Sequence, residues 1–251
     1  MSPTPDRTPR MLARGAAQAR AAARERSLSE LKERLRRLDA PASPAGVRPL
    51  GAAAIDRLLP GGGLALGALH EIAPESPLDH PAALGFLVAL AGAVVAGSGR
   101  PLLLACPRGG AFGRIDGHGL GGLGLPPGEI VLVETGDDAG TLWALEEALR
   151  SRALGAVAGC LLGGLDLHPS RRLHLAAAGA GGLHLVLGPP GPARPNAAAT
   201  RWRVGAAQGA RDRFGCLARP RWRVALERCR GGRPGAWEVE FDRATHRFGL
   251  A

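Results

Sequence analysis

Lysine is almost missing from this chain: Lys32 is the only one, and arginine supplies the rest of the 32 basic residues. A GC-rich coding sequence produces the same bias, so the arginine content alone does not identify a nucleic-acid-binding protein. The four cysteines lack the paired C-x-x-C spacing of a zinc site, which predicts reduced structural cysteines and no bound metal. The N-terminus lacks the apolar core of a signal peptide, and glycines, prolines and charges interrupt each candidate membrane span. We therefore expect a cytoplasmic protein.

Charge is segregated along the chain, whose formal net charge is +10. Residues 1–40 carry ten basic and five acidic side chains, residues 41–189 carry nine and twelve, and residues 190–251 carry thirteen and five. Two interpretations stay open: basic ends that contact DNA or an acidic partner, and solvated surfaces enriched in arginine by codon usage. At 251 residues with 45% hydrophobic residues, the chain suits one α/β core with an arm.

Residues 68–96 have the layout of a phosphate-binding strand, loop and helix, with a strand predicted over 68–72 and a helix over 81–96. A loop that holds ATP needs glycines, a lysine for the phosphates and a hydroxyl for magnesium, as in G-x-x-x-x-G-K-[ST]. In that register the glycine, glycine, lysine and hydroxyl positions hold Ala73, Leu78, Asp79 and His80. A carboxylate at the lysine position repels a triphosphate, and Pro77 removes one of the amides that would face it. The sequence therefore predicts a degenerate nucleotide site.

Four segments in order resemble the RecA-like superfamily and, within it, the ImuA proteins that accompany error-prone DNA synthesis in bacteria. They are LPGGGLALGALHEIAPES (59–76), GDDAGTLWALEEALRSRALGAVAGCLL (136–162), PNAAATRWRVGAA (195–207) and WRVALERCRGGRPGAWEVEFDRATHRF (222–248). The last is the most similar to ImuA. Together they span roughly residue 47 to the C-terminus, and their order is more specific than any single segment.

The resemblance implies an α/β fold with a RecA-like, mostly parallel sheet flanked by helices. A basic N-terminal helical arm would span residues 1–46, and a core with a C-terminal β-hairpin region would span residues 47–251. In ATP-hydrolysing relatives one carboxylate follows the strand after the phosphate loop, and another acid ends a later strand and organises magnesium. Here Arg108 and two glycines follow the first strand, and the second ends at Gly163 and Gly164. We therefore expect no ATP hydrolysis, no catalytic residue and no cofactor.

Periodicity and turn residues predict the other core elements, and adjacent acids Asp137 and Asp138 are expected to cap a helix rather than bind metal. The glycine-rich segment 111–127 is predicted to be a loop. The predicted strands cover 100–106, 129–134, 155–162 and 183–187, and the predicted helices cover 47–59, 141–152 and 170–180.

The N-terminal arm contains an amphipathic helix over residues 24–38, with arginines opposite a leucine stripe. We name this stripe the leucine seam; it consists of Leu28, Leu31, Leu35 and Leu38. It predicts a protein-interaction surface, and two occupants stay open: the protein's own core and another chain.

The tetrapeptide R-W-R-V occurs at residues 201–204 and again at 221–224. Strand alternation places both arginines of each copy on one face and Trp and Val on the other, and we predict that the tryptophans pack inside. For the arginine stripe two interpretations stay open: contact with DNA phosphates or an acidic partner, and simple hydration. The stripe consists of Arg201, Arg203, Arg221 and Arg223. An acidic strand predicted at 237–241 is able to pair with either copy and neutralise part of the stripe.

The resemblance implies a non-catalytic adapter in damage-induced translesion DNA synthesis, acting with an ImuB-like Y-family protein and a DnaE-type polymerase, and in contact with RecA. The expected mechanism is protomer mimicry: a recombinase-shaped fold that cannot use ATP docks on a filament end or on the polymerase complex. Two alternatives stay open. One is a SulA-like inhibitor of cell division, against which the long basic arm argues. The other is a nucleotide-binding RecA-like ATPase that uses unorthodox residues.

Overall fold

The structure is a computed structural model that describes residues 46–96, 98–109, 115–211 and 213–251. Within these ranges the chain forms eleven strands and five helices, joined by three short 3₁₀ turns. The strands are β1 (Val47–Arg48), β2 (Leu64–Ala65), β3 (Leu69–Pro74), β4 (Leu102–Pro107), β5 (Ile130–Thr135), β6 (Ala156–Cys160), β7 (Leu183–Leu187), β8 (Thr200–Arg211), β9 (Leu217–Cys229), β10 (Gly235–Asp242) and β11 (Arg247–Leu250). The helices are α1 (Ala53–Asp56), α2 (His80–Val95), α3 (Gly117–Gly121), α4 (Asp138–Ser151) and α5 (Leu167–Ala177).

Nine strands form one sheet in the order β11-β10-β9-β8-β3-β7-β6-β4-β5. The pairs from β8 to β5 are parallel, and those from β8 to β11 are antiparallel. The central parallel strands β3, β6 and β7 are buried along their whole length, as expected for apolar runs that helices cover on both faces. The prediction of a mixed α/β fold with a large, mostly parallel sheet flanked by helices is confirmed.

Helix α2 covers one face of the sheet, and helices α4 and α5 cover the other. Phe86 of α2 packs in one apolar cluster with Ile72 of β3, whereas Leu145 of α4 and Leu173 of α5 pack in a second cluster with Leu69 of β3. Because successive side chains of a strand point to opposite faces, Leu69 and Ile72 identify the two sides.

Helix α2 is the central helix of the core. Together with its preceding turn, the segment Pro77–Val95 has a mean hydropathy of 1.7 and is long and apolar enough to cross a membrane by length and composition alone. The sequence interpretation counted no membrane span here because it allowed for the glycines and prolines of the segment, and it stays a prediction. In the fold 67% of this window is buried inside the protein, as expected for a helix that packs in the core.

The tryptophans of both R-W-R-V copies point inward, as predicted. Trp202 is fully buried and Trp222 nearly so, and the ring centroid of Phe86 on α2 lies 6.0 Å from the first and 5.9 Å from the second. Phe248 of β11 lies 5.4 Å from the same ring. This aromatic cluster fixes the antiparallel half of the sheet against α2.

The predicted strand over 183–187 coincides with β7, and the other predicted core strands and the helices over 81–96, 141–152 and 170–180 overlap observed elements. Two predictions are wrong. The helix predicted over 47–59 is the four-residue α1, preceded by β1. The glycine-rich segment contains the short helix α3, because the Asp116 carboxylate caps it by accepting a hydrogen bond from the N–H of Gly119 (3.0 Å).

Candidate functional site

The loop that follows β3 is closed by one carboxylate. Oδ2 of Asp79 accepts hydrogen bonds from the backbone N–H (3.0 Å) and the hydroxyl (2.6 Å) of Ser76, and Oδ1 accepts one from the N–H of Ala206 on β8 (2.8 Å). The hydrogen bond from Ala206, followed by that from the Ser76 hydroxyl, lowers the pKa of Asp79. The residue at the lysine position of a phosphate loop is therefore an anion that the fold itself holds in place.

The other residues of this loop present few groups that bind phosphate. In a phosphate site the backbone N–H groups of the loop and of the helix start turn toward the anion. Here Ala73 is buried in β3, and Pro77 and Pro81 have no N–H. Leu78, at the second glycine position, is 91% exposed. His80 is buried, and its Nδ1 lies 3.0 Å from the carbonyl oxygen of Pro77.

The carboxyl ends of β4 and β6 lie at the same edge of the sheet as this loop, because these strands run parallel to β3. Arg108, directly after β4, forms an exposed ion pair with Glu134 of β5 (3.1 Å). After β6, the N–H groups of Leu162 and Gly163 donate to the two carboxylate oxygens of Asp138, at 2.8 and 2.7 Å. A carboxylate thus stands at the end of β6, but it comes from the start of α4 and binds backbone.

The two adjacent acids at the start of α4 have separate roles. Oδ1 of Asp137 accepts a hydrogen bond from the N–H of Gly140 (2.8 Å), so the predicted helix cap is confirmed. The contact of Asp138 with the end of β6 was not predicted, because it joins residues that lie 24 positions apart. In the described part of the chain, no group of three or more His, Cys, Asp or Glu side chains is placed to hold a metal ion.

A buried ion-pair network lies behind the loop and was missed by the sequence interpretation. Oε1 of Glu71 on β3 lies 3.2 Å from Nη2 of Arg201 on β8, and Oε2 accepts a hydrogen bond from the side-chain amide of Asn196 (2.6 Å). Nη2 of Arg228 donates to Oδ1 of Asn196 (2.7 Å), and Glu227 approaches Arg201 at 3.5 Å. Glu71 and Arg201 are 3% and 5% exposed. Charges buried to this degree are tolerated only when they are paired and hydrogen-bonded.

Similarity to known proteins identifies the family. The chain is 35% identical over 218 residues to Protein ImuA of Caulobacter vibrioides, in each of two strains; the alignment covers 81% of this chain and 87% of the relative. The chain belongs to the ImuA family. No model of a protein family matches it.

In this member of the ImuA family the arginine stripe is not a free basic surface. The sequence left two interpretations of Arg201 open, contact with DNA or a partner and simple hydration, and its burial between two carboxylates fits neither. The other three arginines each contact one carboxylate: Arg203 with Glu227 at 2.9 Å, Arg221 with Glu240 at 3.0 Å and Arg223 with Glu75 at 2.8 Å. The acidic strand β10 pairs with β9, which carries the second copy of the tetrapeptide.

The leucine seam and the arm that contains it lie outside the described residues. Leu28, Leu31, Leu35 and Leu38 therefore stay a predicted interaction surface, and the domain boundary after residue 46 stays a prediction.

Three carboxylates at this end of the sheet bind the protein's own backbone. Asp79, Asp137 and Asp138 each point at backbone N–H groups of the protein, which are the donors that a bound phosphate uses in other proteins. These carboxylates stabilise the loop and the helix starts.

Proposed function

We propose that the chain is a RecA-like adapter that does not hydrolyse ATP and that acts in damage-induced, error-prone translesion DNA synthesis. The observation that carries the proposal is the hydrogen-bonded carboxylate of Asp79 at the start of α2, where an ATP-binding relative would place a lysine. The strand, loop and helix order and the mostly parallel sheet support the RecA-like part of the proposal.

Electrostatics support the absence of nucleotide binding. Two unit charges of the same sign about 4 Å apart repel by about 4 kcal/mol at the effective dielectric of a protein surface, and a triphosphate carries several negative charges. The Asp79 carboxylate cannot leave without breaking its hydrogen bonds to Ser76 and Ala206. A nucleotide at this position would therefore lose both the lysine attraction and the loop amides.

Membership of the ImuA family supports the assignment to mutagenesis, and its expected partners are an ImuB-like Y-family protein, a DnaE-type polymerase and RecA. The proposed mechanism is protomer mimicry in the cytoplasm: the recombinase-shaped fold docks on a filament end or on the polymerase complex without consuming ATP. The arm supplies one proposed contact through the leucine seam.

A second surface with the properties of a docking site lies at the β5 edge of the sheet. In the described part of the chain β5 pairs with β4 alone, and Val131 and Leu132 are 45% and 43% exposed. Trp143 on the neighbouring helix α4 is 67% exposed. An open, apolar edge strand beside an exposed aromatic side chain is a surface on which an extended segment of a partner pairs.

Calorimetry of the full chain with Mg-ATP tests the catalytic half of the proposal. We expect no binding heat and no released phosphate. Micromolar binding together with turnover would instead establish the ATPase alternative. The variant Asp79→Asn keeps one side-chain oxygen as an acceptor and removes the charge, and we expect it to remain inactive because Pro77 and Pro81 still lack N–H groups.

Affinity capture from DNA-damaged cells of the native host tests the adapter half. We expect the full chain to retain polymerase components or RecA, identified by mass spectrometry. Leu31→Asp with Leu35→Asp tests the seam, and Leu132→Asp tests the β5 edge, while Leu175→Asp, a leucine 75% exposed on α5, is the matched control. Unchanged far-ultraviolet circular dichroism establishes that the core is intact. A SulA-like inhibitor would bind the GTPase of cell division. Recovery of that GTPase alone would therefore favour the SulA-like alternative.

A further inference from the structure

Two turns meet beside the antiparallel half of the sheet and bring three arginines together. The N–H of Arg233, in the turn between β9 and β10, donates to the carbonyl oxygen of Leu58 (3.1 Å), the residue directly after Arg57. A Cβ atom at Gly232 would overlap that same oxygen, so only glycine allows the two backbones to approach this closely. Arg230 begins the turn that contains Arg233. We call Arg57, Arg230 and Arg233 the arginine patch.

The arginines of the patch have no counter-charge. Arg57 and Arg233 are exposed, and Arg230 is half-buried. In the described part of the chain no carboxylate lies within ion-pair distance of any of them, and none of their guanidinium groups donates a hydrogen bond. They differ in this from the arginine stripe, in which each member contacts a carboxylate. The patch therefore keeps its positive charge at the surface.

The chain around the patch adds little negative charge. Residues 46–63 and 228–237, which contain the two turns, have five arginines and one acid, Asp56. The Asp56 carboxylate accepts hydrogen bonds from the N–H groups of Leu50 (2.8 Å) and Gly51 (3.1 Å), so the fold uses it to close its own backbone. An anion that approaches these turns therefore meets a surplus of positive charge.

The patch lacks the apolar contacts on which protein and membrane recognition depend. None of the large apolar side chains that are exposed in the described part of the chain lies in residues 46–63 or 228–237. Protein interfaces are centred on such side chains, and a helix that binds a membrane surface inserts them between the lipids. Guanidinium groups without apolar neighbours suit phosphate, which they bind through paired N–H groups.

We infer that the arginine patch binds the phosphate backbone of double-stranded DNA. A duplex carries one negative charge per about 1.7 Å of its axis, so the guanidinium groups of one short surface reach several phosphates together. Single strands are favoured less, because their binding uses aromatic rings that stack on bases, and the one ring of these segments, Trp237, packs against the core. Phosphate contacts hold a protein on DNA without reading its sequence. The inference does not depend on the state of the nucleotide site or on the adapter function.

The test measures binding of the full chain to a fluorescein-labelled DNA duplex of about 20 base pairs, roughly two helical turns, by fluorescence anisotropy. We expect a dissociation constant of about 1–100 µM at physiological salt, the range for binding without sequence preference. Arg57→Gln with Arg233→Gln should lower the slope of log affinity against log salt by about 1.8, the value for two lost phosphate contacts on a duplex. The loss of affinity between about 50 and 200 mM salt is then about 12-fold smaller than for the unmodified chain.

Two further variants separate charge from fold. The matched control is Arg152→Gln with Arg171→Gln, which removes the same net charge from exposed positions at the end of α4 and on α5 and should leave the slope unchanged. Arg57→Lys with Arg233→Lys keeps the charge of the patch and should retain the slope of the unmodified chain. Because the two patch residues are exposed and unpaired, we expect the thermal unfolding of all three double variants to match that of the unmodified chain.

The inference fails if the duplex does not bind, or if the glutamine variant of the patch has the slope of the unmodified chain. A control variant that lowers the slope as much as the patch variant would place the site elsewhere, and loss of the slope in the lysine variant would show that charge is not the interaction. Equal competition by poly-glutamate would show a general polyanion surface. Equal competition by a single strand of the same length would overturn the preference for a duplex.

Discussion

Replacing Arg201 with methionine removes one partner of the buried ion pair with Glu71. Glu71 is 3% exposed, and Nη2 of Arg201 lies 3.2 Å from its Oε1. After the substitution the carboxylate retains the amide of Asn196 at 2.6 Å and loses its opposite charge. Breaking a buried pair in this way costs about 3–5 kcal/mol of the free energy of unfolding, because it leaves an uncompensated charge away from water. We expect Arg201→Met to lie within that range.

The substitution Glu71→Gln should cost less than Arg201→Met. It retains a hydrogen-bonding oxygen for Asn196, and Arg201 keeps a second carboxylate, Glu227, at 3.5 Å. We expect a loss of about 1–3 kcal/mol, the cost of an incompletely satisfied buried group. The double variant Glu71→Leu with Arg201→Met removes both charges, and we expect it to be more stable than Arg201→Met alone, since an apolar replacement of a buried pair is often neutral.

Urea unfolding followed by circular dichroism measures these differences, and an unchanged m-value indicates that the same surface becomes exposed in each variant. A loss below about 1 kcal/mol for Arg201→Met, the range of exposed pairs, would refute the argument from burial. A double variant as unstable as the sum of Glu71→Leu and Arg201→Met, each measured alone, would refute the coupling between the two residues.

Burial lowers the pKa of His70 to about 4 and that of His184 to about 3, so both rings are neutral in the folded protein. Their contribution to stability is fully present above the unfolded pKa of about 6.5 and falls as the pH drops toward the folded values. We expect each histidine to reduce the free energy of unfolding by about 2 kcal/mol between pH 6.5 and pH 5, measured by urea unfolding. His184→Leu should remove about half of the combined loss. If the variant lost stability over this range as the parent does, His184 would not be the titrating group. Asp79→Ala removes the acceptor at the start of α2 and should lower the free energy of unfolding by about 1 kcal/mol, while thermal unfolding stays insensitive to Mg-ATP; a rise in the melting temperature on adding the nucleotide would count against internal closure.

Local patterns were sufficient for the parts of the fold that depend on neighbours in sequence. The strand over 183–187 is a mostly apolar run, and Asp137 caps α4 by accepting from the N–H of Gly140, three residues ahead. Both features therefore follow from short-range rules. The inward tryptophans follow from strand alternation, because Trp202 and Val204 share one face by period alone. The degenerate loop could be read in the same way, since the residues that bind phosphate are specified by spacing.

The burial of Arg201 could not be read from its own strand. Alternation places Arg201 opposite Trp202, and both a solvated face and a covered one satisfy that rule. What covers it is Glu71, in register with it on the parallel strand β3 but 130 positions earlier in the chain. Asp79 and Ala206 are 127 positions apart in sequence, so the contact that closes the loop could not be predicted from a short window either. Strand order and register, which no short window contains, decide both contacts.

The acids of this protein have taken over positions at which a phosphate-binding fold leaves donors for its ligand. Asp79 satisfies the amide of Ala206, and Asp138 satisfies those of Leu162 and Gly163 at the end of β6. Both carboxylates join separate elements, α2 to β8 and α4 to β6. They therefore stabilise the end of the sheet at which the parallel strands terminate, without a nucleotide. We therefore expect a partner to bind at the open β5 edge, where Val131 and Leu132 are exposed, rather than at the loop after β3.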